Sequence, residues 1–112
     1  MNVHQPENSK EFIPTLFDCI DDVISFALDL AMPPTPENQG SLLREDLVPA
    51  LLESRLYVEI GEIRRIEVRS GLTRALRSAY ELADTDRKYS TLVNKLRVLL
   101  EDANTVERER EH

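Results

Sequence analysis

The pattern that most constrains the fold lies near the C-terminal end of the chain. Its period places one side chain per turn on a single face of an α-helix and does not fit the two-residue period of a strand. The sequence therefore predicts a C-terminal helix that must bury this face against other helices or against a second copy. Spacings of three and four alternate strictly at Tyr89, Leu92, Leu96, Leu99, Ala103 and Val106.

A second helical pattern of the same kind lies near the N-terminus. The positions between its apolar residues carry aspartates, so we expect a helix with one apolar and one acidic face. Ser9 is a candidate N-cap and Pro14 fits the first turn. The apolar positions are Leu16, Ile20, Val23, Ala27 and Leu30, and the acidic ones are Asp18, Asp21, Asp22 and Asp29.

Prolines interrupt the chain after this first helix. Residues 33–40 contain three prolines and a glycine, a combination that a helix interior does not tolerate, and we predict a linker there. Ser41 is a candidate N-cap for a second helix. Pro49 would either kink that helix or mark the first turn of its second half.

Polar residues predict two further helix boundaries. Ser70 followed by Gly71 indicates a boundary at which Ser70 caps the next helix. Asp84 or Asp86 is predicted to cap the C-terminal helix. These boundaries indicate a mainly α fold, a small bundle of three to four helices.

Residues 55–69 are open to two interpretations. Leu56, Val58 and Ile60 alternate as in a strand, and Gly61 could then begin the turn of a short β-hairpin. Leu52, Leu56, Ile60 and Ile63 also fit a helical stripe that continues from the preceding segment, and an isolated two-stranded ribbon is only marginally stable. Helix is the favoured interpretation and the hairpin is its alternative.

Length and composition suit one soluble domain. The chain has 112 residues, of which 41% are hydrophobic and 31% charged, a balance typical of a folded globular domain. We expect a flexible leader at 1–8, a single helical domain at 9–107 and a charged tail at 108–112. No apolar run reaches the length of a membrane span and the start lacks the features of a secretory signal, so we expect a cytoplasmic protein without membrane contact.

Charge is segregated along the sequence. The net charge of −7 divides into −8 for residues 1–54, +4 for residues 55–97 and −3 for residues 98–112. Such asymmetry can steer a charged partner or orient two copies of the chain. The candidate contacts for nucleic acid or an acidic partner are Arg64, Arg65, Arg69, Arg74 and Arg77, with Tyr57, Tyr80 and Tyr89 as candidate stacking partners.

Residues with catalytic or metal-binding chemistry are sparse. His4 is near the start and His112 is the last residue, so neither fits a preorganised site. Cys19 is the only cysteine and is interpreted as a small core residue. Gly40, Gly61 and Gly71 form no phosphate-binding motif. The prediction is a protein that is not an enzyme, with no catalytic residue, no metal and no cofactor.

Two functional hypotheses remain. The first is a non-enzymatic helical adaptor, scaffold or regulatory subunit that acts through protein contacts, with a homodimer expected and the identity of any other partner unknown. The second is a nucleic-acid-associated factor, a ribonucleoprotein small subunit or transcriptional regulator, that uses the basic segment 64–97; it is the less favoured of the two. The candidate interface residues are Leu16, Ile20, Val23, Ala27, Leu92, Leu96 and Leu99, each of which is also a candidate core position.

Overall fold

The computed structural model describes residues 12–31 and 36–110, and for residue 38 and residues 107–110 it describes the backbone alone. Helices form nearly all of this part of the chain. The elements are α1 (Pro14–Ala31), α2 (Glu37–Leu42), a π-helical segment (Leu43–Leu47), α3 (Val48–Glu59), α4 (Ile66–Thr85), a 3₁₀ turn (Arg87–Tyr89) and α5 (Ser90–Arg110). These described residues contain no strand, so the mainly α prediction is confirmed.

The four long helices form an antiparallel bundle. Both α3 and α5 pack against α1 and against α4, so α3 and α5 lie on opposite sides of the bundle with the other two helices between them. The antiparallel order follows from the contacts: Arg55 near the end of α3 meets Phe17 near the start of α1, and Lys95 near the start of α5 meets Phe26 in α1. The outer faces of α3 and α5 therefore point in opposite directions.

The bundle core consists mainly of Leu, Ile, Val and Ala. The predicted face of the C-terminal helix is confirmed, since Tyr89, Leu92, Leu96, Leu99 and Ala103 are all buried and Val106 packs partly buried against them. The helical backbone continues past this last apolar position to Arg110, within the charged tail that the sequence predicted from residue 108. None of the described helices is long and apolar enough to cross a membrane.

The start of α1 agrees with the sequence where it can be compared. Pro14 is the first helical residue, as predicted for a proline in the first turn, because the missing N–H would have no partner there. The predicted cap Ser9 and the predicted leader at 1–8 lie outside the described residues.

The second helix begins earlier than the sequence predicted. It starts at Glu37 directly after Pro36, so the predicted linker ends before residue 37 and Ser41 lies inside the helix instead of capping it. The Arg44 guanidinium lies beside Gly40, 2.9 Å from where a Cβ would lie. Pro49 is the second residue of α3, and it has no N–H to donate to the carbonyl four residues earlier. The wider, π-helical turns of Leu43–Leu47 lie directly before α3.

Residues 55–69 follow neither interpretation over their whole length. The hairpin is not realised, because 55–59 belong to α3 and 66–69 to α4. The helix does not continue through the segment, because Gly61 adopts a φ of 82° and ends α3. The Gly61 N–H donates to the Val58 carbonyl at 3.1 Å and the Glu62 N–H to the Tyr57 carbonyl at 2.8 Å, the pair of hydrogen bonds of a Schellman cap.

The predicted boundary at Ser70 and Gly71 is wrong. Both residues lie inside α4, which begins at Ile66 after an extended Arg65. Gly71 is buried where α3 and α4 approach each other, and a Cβ there would meet the Ser54 hydroxyl and lie 2.7 Å from the Ala50 carbonyl oxygen. The buried Ser54 hydroxyl donates to the Val68 carbonyl at 2.7 Å. A glycine that looked like a helix stop is therefore the point of closest contact between two helices.

The turn before α5 is capped as predicted, by the second of the two candidate aspartates. The Asp86 carboxylate accepts from the Lys88 N–H at 3.1 Å. Tyr89 follows, fully buried, and its hydroxyl lies 3.2 Å from Oε1 of the buried Gln39, to which it donates. This contact ties the start of α5 to α2.

Tyr89→Phe should make the free energy of unfolding depend less on pH in the alkaline range. Burial, with a smaller contribution from the Asp86 charge, raises the pKa of the Tyr89 phenol above its ordinary value of 10.0. The unfolded chain therefore loses this proton at a lower pH than the folded chain, so the free energy of unfolding should fall as pH rises above about 10. Urea melts of the two proteins at pH 8 and pH 11 measure this. A fall of the same size in both proteins would contradict the assignment to Tyr89.

Candidate functional site: the outer face of α3

The predicted interface residues lie in the core of the single chain. α1 packs against α5, and each of these side chains is at most 6% exposed. A second copy could reach them only if the two chains exchanged helices. They are Leu16, Ile20, Val23, Ala27, Leu92, Leu96 and Leu99.

The predicted basic contacts are spread along α4 and the turn before it. Arg64, Arg65, Arg74 and Arg77 are exposed and Arg69 is half-buried. The Arg65 guanidinium pairs with Glu62 at 3.1 Å and with Glu67 at 3.2 Å. Arg74 pairs with Glu53 of α3 at 2.8 Å. Carboxylates therefore offset part of the positive charge that the sequence suggested for this segment.

The hydrogen bond between Arg65 and Glu67 shifts the pKa of both groups. The hydrogen bond from Arg65 lowers the pKa of the Glu67 carboxyl, and the same bond raises the pKa of the Arg65 guanidinium. The guanidinium in addition lies over the ring of Tyr57, 5.0 Å from its centroid. Of the candidate stacking residues, Tyr57 is thus covered by Arg65, Tyr89 is buried, and Tyr80 is exposed.

Cys19 is exposed, so its interpretation as a core residue is wrong. The reason is its position on α1, one residue before the buried Ile20 and on the polar side of the helix. Partial burial, followed by the charges of Asp102, Asp22 and Asp18, raises the pKa of the thiol. Because the thiolate is the reactive form, this setting is unlike that of an activated cysteine.

The aspartates predicted on the polar side of α1 do lie there. Asp18, Asp22 and Asp29 are exposed, and Asp21 pairs with Arg55 of α3 at 3.4 Å. Across the described part of the chain, no three His, Cys, Asp or Glu side chains converge as a metal site would require.

Two open grooves flank α5. One, of about 510 Å³, lies between α4 and α5 beside Tyr80 and Val98. The other, of about 360 Å³, lies between α1 and α5 beside Cys19, Val98 and Asp102. Val98 is the large apolar side chain exposed on this side of α5, and the exposed Tyr80 of α4 lines the first groove with it. Both grooves are open to solvent, so neither would enclose a ligand as a small-molecule site does.

The solvent side of α3 differs from that of every other long helix. The sequence placed Leu52, Leu56 and Ile60 in a helical stripe that continues from the preceding segment, and the structure leaves them 44%, 50% and 40% exposed. The opposite side of α3 is apolar as well, with Leu51 and Val58 fully buried. We call the exposed apolar residues Pro49, Leu52, Leu56 and Ile60 the α3 outer face.

Charged residues border the α3 outer face on both sides. On the α4 side lies Glu53, which pairs with Arg74. On the α1 side lies Arg55, which pairs with Asp21. Glu59 is exposed and falls on the same side as Arg55 by helical spacing. An apolar centre with a charged border has the composition of a protein interface.

The other long helices show ordinary polar surfaces. Leu28 on α1 and Ile66 at the first residue of α4 are exposed, and Tyr80 of α4 and Val98 of α5 line one groove. Single exposed apolar residues on a helix are normal. Contiguous apolar residues on successive turns of one helix are not. The signal in the sequence was that α3 carries apolar residues on both sides, although a helix of a four-helix bundle turns only one side to the core.

The chain has no significant match to a protein-family model, to a curated protein or to a solved structure.

Proposed function

We propose that this chain is a non-enzymatic helical interaction protein, an adaptor, scaffold or regulatory subunit, that binds a protein partner through the α3 outer face. The observation that carries the proposal is the exposure of Leu52 and Leu56 on successive turns of α3 and of Ile60 at its C-cap. A helix with apolar residues on both sides is characteristic of a buried position. A partner that covers the outer face would give α3 that environment.

The size of the apolar stripe indicates what kind of partner fits. Covering three side chains that are now about half exposed contributes roughly 1 kcal/mol each. Association itself costs at least about 4 kcal/mol. The partner must therefore bring apolar side chains of its own and contact the charged border. An amphipathic helix laid along α3 meets both requirements.

Nucleic-acid binding receives less support. Arg65 and Arg74, two of the five candidate contacts, have carboxylate partners within 3.2 Å. A polyanion would also have to approach a chain with a net charge of −7. Tyr80 is the exposed tyrosine among the three candidates for base stacking, and it lies beside α5 and not beside Arg65.

Site-specific photo-crosslinking tests the proposed function. A photoreactive phenylalanine analogue is placed at position 56, or at position 98 as a matched control on the opposite side of the bundle, in cells that express the chain naturally. We expect a discrete protein crosslink from position 56 and none of that mass from position 98. Mass spectrometry then identifies the crosslinked protein, which can be a second copy or a different chain. The proposal is overturned if position 56 yields no protein crosslink, or if both positions yield the same crosslinks.

A further inference from the structure

The groove between α1 and α5 has an apolar floor. Val23 of α1 and Leu99 of α5 are buried beneath it, and Val98 is exposed along it. The Cys19 thiol also lines this groove. Burial, and then the charges of nearby aspartates, raises the pKa of the thiol, so it is protonated at neutral pH and adds a small apolar side chain to the floor. We call this surface the α1–α5 groove.

Carboxylates from both helices border the α1–α5 groove. Asp22 of α1 and Asp102 of α5 line it, and Asp18 lies one turn before Asp22. After burial, the charges of these three aspartates contribute to the raised pKa of the Cys19 thiol, so all three lie near the same end of the groove. The ion pairs among the described residues leave these exposed carboxylates without a basic partner.

The basic side chain in the lining does not offset this negative charge. The Lys95 ammonium lies over the ring of Phe26, 5.0 Å from its centroid, and is held there by the ring. Along α5, Lys95 precedes Asp102 by two turns, which is about 10 Å. The end of the groove beside Cys19 therefore combines an apolar floor with unpaired negative charge.

The dimensions and charge of the groove indicate what it can hold. Its lining extends from Thr91 to Asp102, about 17 Å or three helical turns along α5. A groove between two packed helices accepts the side chains of a third helix at spacings of three and four. Covering an unpaired carboxylate costs free energy unless the occupant supplies a positive group. A basic occupant is thus favoured over an uncharged or acidic one.

We propose that the α1–α5 groove binds a short basic amphipathic helix of a partner protein, whose apolar residues contact Val98 and whose Lys or Arg side chains pair with Asp22 and Asp102. This site is separate from the α3 outer face, because α3 and α5 lie on opposite sides of the bundle. It goes beyond the proposed function and does not depend on it. A chain with both surfaces can hold two partners at once, as an adaptor does.

Isothermal titration calorimetry of the purified full chain with designed peptides tests the proposal. The probe is a peptide of about 14 residues with leucines at spacings of three and four on one face and lysines on both flanks. A second peptide carries glutamates in place of the lysines. We expect the lysine peptide to bind in the micromolar range and the glutamate peptide not to bind at about 200 μM. The proposal is overturned if the lysine peptide does not bind, or if both peptides bind equally.

Matched neutralisations separate the groove from general attraction to an acidic chain. Asp22→Asn with Asp102→Asn should weaken binding of the lysine peptide at least about fivefold. Asp46→Asn with Asp84→Asn makes the same change in net charge at exposed positions away from the groove and should weaken it less than about twofold. Equal effects of the two double variants would contradict pairing in the groove.

Matched substitutions on the two sides of the bundle locate the peptide. Val98→Lys places a positive charge among the apolar contacts and should weaken binding at least about tenfold. Leu56→Lys makes the same change on the α3 outer face and should leave binding within about twofold. Circular dichroism establishes that each variant retains its helices. A loss with Leu56→Lys and none with Val98→Lys would overturn this site and leave the proposed function standing.

Cys19 reports occupancy of the groove directly, because it is the only cysteine in the chain. Its rate of reaction with N-ethylmaleimide should fall at least about fivefold when the lysine peptide is saturating, because the bound helix covers the thiol. A peptide bound elsewhere on the chain would leave the thiol accessible. A rate that does not fall therefore overturns the proposal.

Discussion

Gly71→Val should destabilise the chain by about 3 kcal/mol or more, a large part of the total stability of a domain this size. The new Cβ would lie 2.7 Å from the Ala50 carbonyl oxygen and would collide with the Ser54 hydroxyl. Because one of these neighbours is backbone, rotation of a side chain cannot relieve the contact, and α3 and α4 must separate. Thermal unfolding followed by circular dichroism should show a fall in Tm of roughly 10 °C or more.

Ser70→Val is the matched control for this substitution. Ser70 precedes Gly71 in the same helix and is exposed, so the same side chain there should change stability by no more than about 0.5 kcal/mol. Adding Ser54→Ala to Gly71→Val removes the hydroxyl and leaves the Ala50 carbonyl in place, so it should restore little stability. A Gly71→Val protein as stable as the control would mean that α3 and α4 do not approach as closely as described.

Leu96→Ala should lower the free energy of unfolding by about 2 to 5 kcal/mol. Leu96 is fully buried in α5, at the centre of the face that packs into the bundle. Its truncation removes apolar contacts and leaves a cavity that the surrounding helices can only partly fill. Chemical denaturation gives the change directly.

The dependence on protein concentration separates a core role for Leu96 from the interface role suggested by sequence. A core residue should lose the same stability at 2 μM as at 100 μM, whereas a residue needed only for dimerisation should matter more at the higher concentration. Val98→Ala, two positions along α5 and 58% exposed, is the control and should cost less than about 0.5 kcal/mol. An effect of Leu96→Ala no larger than that of Val98→Ala would contradict the core assignment.

Helix positions were predictable where local preference and packing agree. The face from Tyr89 to Ala103 is buried as its spacing indicated, and Pro14 begins α1 as a first-turn proline should. Boundaries were less predictable because tertiary contacts outweighed local preferences. Ser41 and Ser70 have suitable side chains for capping, yet both lie inside helices, since α2 begins directly after Pro36 and α4 begins at Ile66. Gly71 in α4 is the position that packs against α3.

The residues of the α3 outer face form a stripe in the sequence, but the sequence does not indicate that this stripe is exposed. The spacing of Leu52, Leu56 and Ile60 indicates a helical stripe. The same spacing is found in stripes that face the core and in stripes that face solvent. Which side of α3 is buried depends on where α1 and α4 lie, and that is a property of the whole bundle. The pairing of the arginines in the basic segment could not be predicted for the same reason. The ion pair between Arg74 and Glu53, for example, joins two different helices.

The sequence by itself determined that this chain is helical and where its strongest apolar face lies, because a spacing of three and four is a local property that any helix must satisfy. The tertiary structure alone decided which apolar residues remain exposed, because a helix with apolar residues on both sides can bury only one of them in a bundle of four. It also decided which charges are paired and why Gly71 must be glycine, since both depend on distances between residues far apart in the chain.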